Sequence, residues 1–176
     1  MRVNFIFFLG LGFLVLAGAF FAFQKRTDHS AQRSVLGNIP DISISDLDGR
    51  AVSFESLLEA RTNVLIYFNS NCPICQSEVE LLVKHFKSDS TINFIWISSE
   101  PIEAIRSFEG AYDLGLLHHV TVASDTLYQV ASHFKFTSVP ATVVYSKHGT
   151  LIDFFKGAVS MQDLKRAIQK AHDSKP

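Results

Sequence analysis

The sequence is poor in cysteine, in tryptophan and in net charge. Of 176 residues two are Cys and one is Trp, and the formal charge at pH 7 is −1. Two cysteines cannot frame a disulfide scaffold, nor complete a four-thiolate zinc site by themselves. A balance of 16 Lys+Arg against 17 Asp+Glu excludes a binder that works by neutralising phosphates, so no nucleic-acid partner is expected. Internal repeats and low-complexity tracts are also missing. Apolar side chains, by contrast, make up 47% of the chain and are unevenly spread. Between Val3 and Phe23, 17 of 21 positions are apolar and none is charged. Without residues 1–23, 65 of the remaining 153 residues are apolar, slightly below the share in ordinary globular domains.

As a helix, the Val3–Phe23 run would be about 32 Å long, enough for a hydrocarbon core of about 30 Å. Gln24-Lys25-Arg26 ends it sharply. A core helix without any polar face is the plainer alternative. Arg2, the apolar stretch to Leu16 and Ala17-Gly18-Ala19 also follow the order of a cleaved signal peptide, but the apolar run continues through Phe23. The segment is read as a retained N-terminal transmembrane anchor, with a secreted domain as the alternative. Lys25, Arg26 and Arg33 after the span outnumber Arg2 before it, which by the positive-inside rule would keep the domain in the cytoplasm. The signal-like order argues for export instead, and export is the reading adopted. Residues 24–38 are polar and without period, a tether, and the domain is expected over residues 39–174.

Within that domain Ile42, Ile44 and Leu47 alternate with polar residues up to a turn at Asp48-Gly49, the pattern of a short β-ribbon. Ser53 is placed to cap a short helix running to about Ala60. Asn63–Asn69, Ile92–Ser98 and Ala141–Tyr145 are apolar, β-preferring runs of the kind covered on both faces. Helices are expected near 73–88, 101–112, 124–135 and 161–171, with strands near 118–123 and 150–156. Ser160 and Asp163 suit a capping pair for the last helix. Strands alternating with helices specify an α/β domain around a sheet at least partly parallel.

Both cysteines stand in Cys72-Pro73-Ile74-Cys75, directly after the first buried strand. At a helix N-cap, Cys72 meets free backbone N–H groups and the positive end of the helix dipole, which favour a thiolate. Proline suits the first helical position. Cys75 lies one turn on, within reach of Cys72. Such a pair lets one thiolate attack a disulfide and the second resolve the mixed disulfide. The plainer readings are two small buried side chains or half of a metal site. On a helical projection with Cys72 at the origin, Val83, Val79, Phe86, Cys75 and Leu82 fill an apolar arc from about 20° back to about 280°. Ile74 and Leu81 are taken to extend that arc, to about 180–200°. Glu78, at about 240°, falls inside it, where desolvation would raise its pKa and allow proton exchange with a thiol. The alternative is a Glu78 that reaches round to solvent. His85 reads as a packing residue at the helix edge.

Residues 63–78 (NVLIYFNSNCPICQSE), preceded by 39–52 (IPDISISDLDGRAV), resemble the thioredoxin-fold thiol–disulfide oxidoreductases of the TlpA/ResA type. Ser138-Val139-Pro140-Ala141-Thr142 and the VVYSKHGTLIDFFKG that follows resemble that family's cis-proline loop, next strand and hairpin. The resemblance implies a thioredoxin-like fold: a central mixed sheet flanked by helices, with an extra α/β insertion over the helix near 101–112 and the strand near 118–123. It implies that Cys72 is the nucleophile, Cys75 the resolving thiol and partner in a redox-active disulfide, and Glu78 the active-site carboxylate. It further implies a cis Val139–Pro140 bond, with Val139 offering its backbone to an extended substrate segment. From the residues alone Pro140 could equally be a trans proline opening an edge strand. Asn71 replaces the family's usual Trp and is taken as a substrate contact. Ile74 supplies no charge to a neighbouring thiolate.

The expected activity is therefore protein-disulfide exchange without a bound cofactor or metal, on protein thiols and disulfides. It would take place at the outer face of a bacterial cytoplasmic membrane, in the reducing direction and fed by a membrane electron donor. A Cu(I) carrier is the binding alternative. A thiol peroxidase is the enzymatic one, although Asn69 and Leu65 stand where peroxiredoxins have Thr and Pro.

Overall fold

A computed structural model describes residues 39–175. The anchor and tether expected over residues 1–38 lie outside the described residues. Among the described residues, no helix is long and apolar enough to cross a membrane.

Seven strands form one mixed sheet: β1 (Ser43–Ser45), β2 (Ala51–Ser53), β3 (Thr62–Tyr67), β4 (Ile92–Ser98), β5 (Val120–Ser124), β6 (Ala141–Tyr145) and β7 (Leu151–Lys156). Their spatial order is β2-β1-β5-β4-β3-β6-β7, with β3, β4 and β5 parallel and every other pairing antiparallel. Every residue of β3, β4 and β6 is buried, because these strands are covered on both faces. Successive side chains point to opposite faces, so Val64, Ile66 and Phe68 enter one core and Leu65 and Tyr67 the other. The first core is closed by α1 (Pro73–Phe86), α2 (Ile102–Ala111) and α4 (Met161–His172). The second is closed by Phe54 and by α3 (Gln129–Phe134).

α1 is amphipathic at helical spacing. It buries Cys75, Glu78, Val79, Leu82 and Phe86, and each of its larger apolar side chains contributes about 1.5–3 kcal/mol on burial. Ser160 caps α4 as expected: its Oγ accepts the Asp163 N–H at 3.1 Å and donates to the Asp163 carboxylate at 2.7 Å.

Three expectations need correction. The helix from Ser53 to about Ala60 is only a 3-10 turn, Glu55–Leu57, although Ser53 Oγ does accept the Ser56 N–H at 3.1 Å. The helix expected over 124–135 shrinks to Gln129–Phe134. Ser124 pairs in the sheet, and the Asp125 carboxylate takes the N–H groups of Gln129, Val130 and Ala131 at 2.7, 3.2 and 3.1 Å, which starts the helix later. On α1 the apolar arc stops short of Ile74 and Leu81, which are 53% and 47% exposed.

The parallel order brings chemistry to one edge. The carboxyl ends of β3, β4 and β5 all point the same way, so the segments after Tyr67, Ser98 and Ser124 gather there. β6 starts at that edge, since Ala141 pairs with Tyr67, leaving Pro140 beside the point where the chain departs for Cys72. At the opposite edge the β6–β7 turn favours glycine, since Gly149 has φ +76°; a Cβ there would also require the Ile39 side-chain end to shift.

Candidate active site

Phe68 ends the buried run and hands the chain to a tight turn, Asn69–Cys72. Asn69 O accepts the Cys72 N–H at 3.1 Å, and Asn69 Oδ1 accepts the Asn71 N–H at 3.0 Å. Cys72 is the N-cap of α1 in extended conformation, and Pro73 occupies the first helical position, as the sequence predicts. The Cys72 sulfur accepts the Cys75 N–H at 3.4 Å, so a cysteine does here what Ser or Asp does at other N-caps. Both cysteines are free thiols.

The two sulfurs sit in opposite environments. Burial alone would raise the Cys72 thiol, but hydrogen bonds from the Cys75 N–H, the Cys75 thiol and the Ile74 N–H outweigh it and hold Cys72 below the usual cysteine range. Cys75 is fully buried, and burial pushes its thiol up to about 12, against the pull of the Asn69 backbone. One thiol is prepared to ionise and the other to stay protonated, the asymmetry a nucleophile and a resolving group require.

Glu78 lies one turn beyond Cys75 and is 7% exposed, so it does not reach round to solvent. Neither carboxylate oxygen has a hydrogen-bond partner. Desolvation raises Glu78 to about 7, against the pull of the Val159 backbone, which does not reach hydrogen-bond geometry. Its charge works against ionisation of both cysteines.

The Val139–Pro140 peptide is cis. Pro140 is buried and its carbonyl accepts the Gly157 N–H at 2.9 Å. Val139 is half-buried and, like Cys72, packs against the core that contains Cys75. The fold therefore gathers Cys72, Cys75, Glu78 and Val139-Pro140 at one edge. Asn71 is exposed beside them in the turn. His85 stands apart: exposed, with Nδ1 2.8 Å from Leu81 O. Among the described residues no group of three or more His, Cys, Asp or Glu side chains is placed to hold a metal ion.

Sequence reasoning missed Glu100, in the segment after β4. Its carboxylate accepts the Ser70 N–H at 2.6 Å, the Ser70 hydroxyl at 2.7 Å and the Ser98 hydroxyl at 2.9 Å. Gln76 Nε2 donates to Ser70 O at 2.9 Å. The signal was present in Ser98-Ser99-Glu100, since polar residues at the carboxyl end of a buried parallel strand face the same edge as the cysteines.

Residues 35–154 match the model of the AhpC/TSA family, and the chain belongs to that family. None of the curated proteins matches. Among solved structures, MTB dsbF in mixed oxidized and reduced forms shares 26% identity at a TM-score of 0.64, over 76% of this chain and 99% of that one. A secreted Mycobacterium tuberculosis disulfide oxidoreductase, homologous to E. coli DsbE, shares 22% at a TM-score of 0.61, over 77% and 97% of the two chains. A thiol-disulfide oxidoreductase from Bacteroides fragilis shares 19% at 0.58, over 73% and 98%. The fold is thioredoxin-like, as the sequence leads one to expect.

Proposed function

We propose that this AhpC/TSA-family chain, a thioredoxin-like thiol–disulfide oxidoreductase, exchanges disulfides with protein substrates through Cys72 and Cys75, as a membrane-tethered reductant on the extracytoplasmic side. The observation that carries the reading is the asymmetric pair: an N-cap sulfur held ionisable by amide donors, one turn from a buried sulfur held protonated. The Cys72 thiolate attacks a substrate disulfide, forming one S–S bond and expelling one substrate thiolate. Cys75 then gives up its proton, attacks the Cys72 sulfur and expels the second, leaving the enzyme oxidised and the substrate reduced. Glu78, ionised above about pH 7, is the nearby base for the Cys75 proton. Val139, next to the cis bond, offers backbone to an extended substrate segment, and exposed Asn71 flanks it.

The reducing direction rests on the resemblance of residues 63–78 and 138–157 to the TlpA/ResA type. Tethering and export rest on the Val3–Phe23 run, and a membrane donor that reduces Cys72–Cys75 again would complete the cycle. The peroxidase alternative is not favoured, because Asn69 stands where peroxiredoxins have Thr and its side chain is turned to the loop amide of Asn71.

Cys75→Ser expressed in the native host tests this. The expected outcome is a set of thiol-sensitive covalent adducts between Cys72 and exported proteins, absent from the Cys72→Ala/Cys75→Ser double variant. Adducts only with cytoplasmic proteins would overturn the compartment, and no adducts at all would overturn exchange.

A further inference from the structure

The turn that carries Cys72 is tied to its surroundings through one residue above all, Ser70. The Ser70 N–H and hydroxyl donate to the Glu100 carboxylate at 2.6 and 2.7 Å, and the Ser70 carbonyl accepts the Gln76 side-chain amide at 2.9 Å. Glu100 is itself fixed: it accepts the Ser98 hydroxyl at 2.9 Å, and Ser98 Oγ accepts its N–H at 3.2 Å. Gln76 meets the turn a second time, where its backbone N–H donates to Cys72 O at 3.0 Å. Ser70 thus stitches the segment after β4 to the first turn of α1, and Cys72 lies between the two. From Ser70 the hold passes directly to the nucleophile. Asn69 O accepts the Cys72 N–H at 3.1 Å, and Cys72 keeps an extended backbone with φ −81° and ψ 114°. In that conformation its sulfur accepts the Cys75 N–H at 3.4 Å.

We propose that Glu100 and Gln76 are positioning residues for the nucleophile: by gripping Ser70 from two elements, they hold Cys72 in the N-cap geometry that aims the Cys75 N–H at its sulfur. The proposal deepens the exchange reading above and rests on it. In the attacking thiolate the charge sits on that sulfur, where a fixed amide stabilises it more than a wandering one. Without the grip the donor is lost part of the time, so the thiolate is harder to form and, once formed, more nucleophilic. Loss of the Glu100 charge alone would do the reverse, since a neighbouring anion opposes ionisation. Gln76 carries no charge, so its removal tests the hold by itself. The other titratable groups that act on Cys72 are Cys75 and Glu78, both on α1, and neither differs among the proteins compared for their Cys72 titration.

The test uses Cys75→Ser as its background, which leaves one thiol and keeps the backbone N–H, and an aromatic disulfide with a coloured thiolate as its probe. Attack by the Cys72 thiolate forms one S–S bond to the probe and expels one coloured thiolate. Its rate is followed from about pH 5 to about pH 10, a range that brackets cysteine ionisation. Added to that background, Glu100→Ala should raise the midpoint of Cys72 by about one unit and Gln76→Ala by about half a unit, the loss of part of one hydrogen bond to a charged group. Tenfold less thiolate of greater nucleophilicity should make Glu100→Ala about threefold slower than the background below both midpoints, and about threefold faster above them. General loosening would shift the rate in one direction at every pH. Gln76→Ala, at a half-buried position, carries the test if Glu100→Ala does not fold. A midpoint at or below the background value in either folded variant overturns the proposal, as does a rate change without the crossover. With Cys75 in place the same probe should release two equivalents, because Cys75 resolves the mixed disulfide. A single equivalent there overturns the exchange reading and the part of the grip in it, whereas two equivalents with an unmoved midpoint overturn the grip alone.

Discussion

Asp125 and Glu78 are both buried carboxylates, on opposite sides of one sheet, and the fold treats them in opposite ways. Asp125, 1% exposed, accepts the N–H groups of Gln129, Val130 and Ala131 and the Tyr67 hydroxyl at 3.0 Å. Glu78, 7% exposed, has no partner for either oxygen. The first spends its charge on starting a helix and closing a core. The second has no hydrogen-bond partner of its own within the protein, one turn beyond Cys75. Burial alone thus does not raise a carboxylate's pKa in this molecule; in Glu78 burial without hydrogen-bond donors does.

Removing the answered acid should have the larger effect. Asp125→Ala leaves three helix N–H groups and a buried hydroxyl without their acceptor, and at about 1–3 kcal/mol per orphan the loss should be at least about 3 kcal/mol in urea unfolding. Exchange activity per folded molecule should remain. An unchanged midpoint would erase the contrast with Glu78.

Removing the unanswered acid should act in the other direction and depend on pH. Folded Glu78 keeps its proton to about pH 7, whereas a Glu with the ordinary value of 4.5 releases it earlier. Between those values the folded state binds more protons than the unfolded one, so stability falls as pH rises through the window. Glu78→Gln should therefore gain on wild type by about 3 kcal/mol between pH 4 and pH 8, with little of the difference present at the acid end. Resolution by Cys75 should lose its inflection near pH 7 in the same variant. A stability difference that stays flat with pH would show that Glu78 is answered after all.

Tyr67→Phe gives the smallest change. It takes one donor from Asp125 and leaves three amides, and thermal or urea unfolding should record a loss of about 1 kcal/mol. A larger loss would mean that the hydroxyl, rather than the helix start, is the principal partner of Asp125.

How much of this was legible beforehand follows from what each feature depends on. Strands β4 and β6 match their apolar runs to the residue, because strands buried on both faces leave no polar alternation to blur their ends. Cys72, Pro73 and Glu78 were legible because a cap and a helix face are local matters. Ile74 and Leu81 were assigned to the core because a projection does not reveal how wide a face the sheet covers. The late start of α3 depends on which amides the Asp125 side chain reaches, and the Glu100 grip joins residues 30 apart in sequence. Neither has a period or spacing to read.

Trp96 gives the site an optical consequence. The single tryptophan of the chain is 1% exposed, lies in the same buried cluster as Cys75, and meets Phe68 edge-on at 5.7 Å, one residue before the turn that leads to Cys72. Phe108 lies on the same side at 6.1 Å, 4.4 Å from Phe68, and the buried indole is screened from water. The molecule therefore contains one indole fluorophore, in the same buried cluster as Cys75, and excitation selective for tryptophan should let its emission follow the thiol and disulfide states of the unlabelled protein.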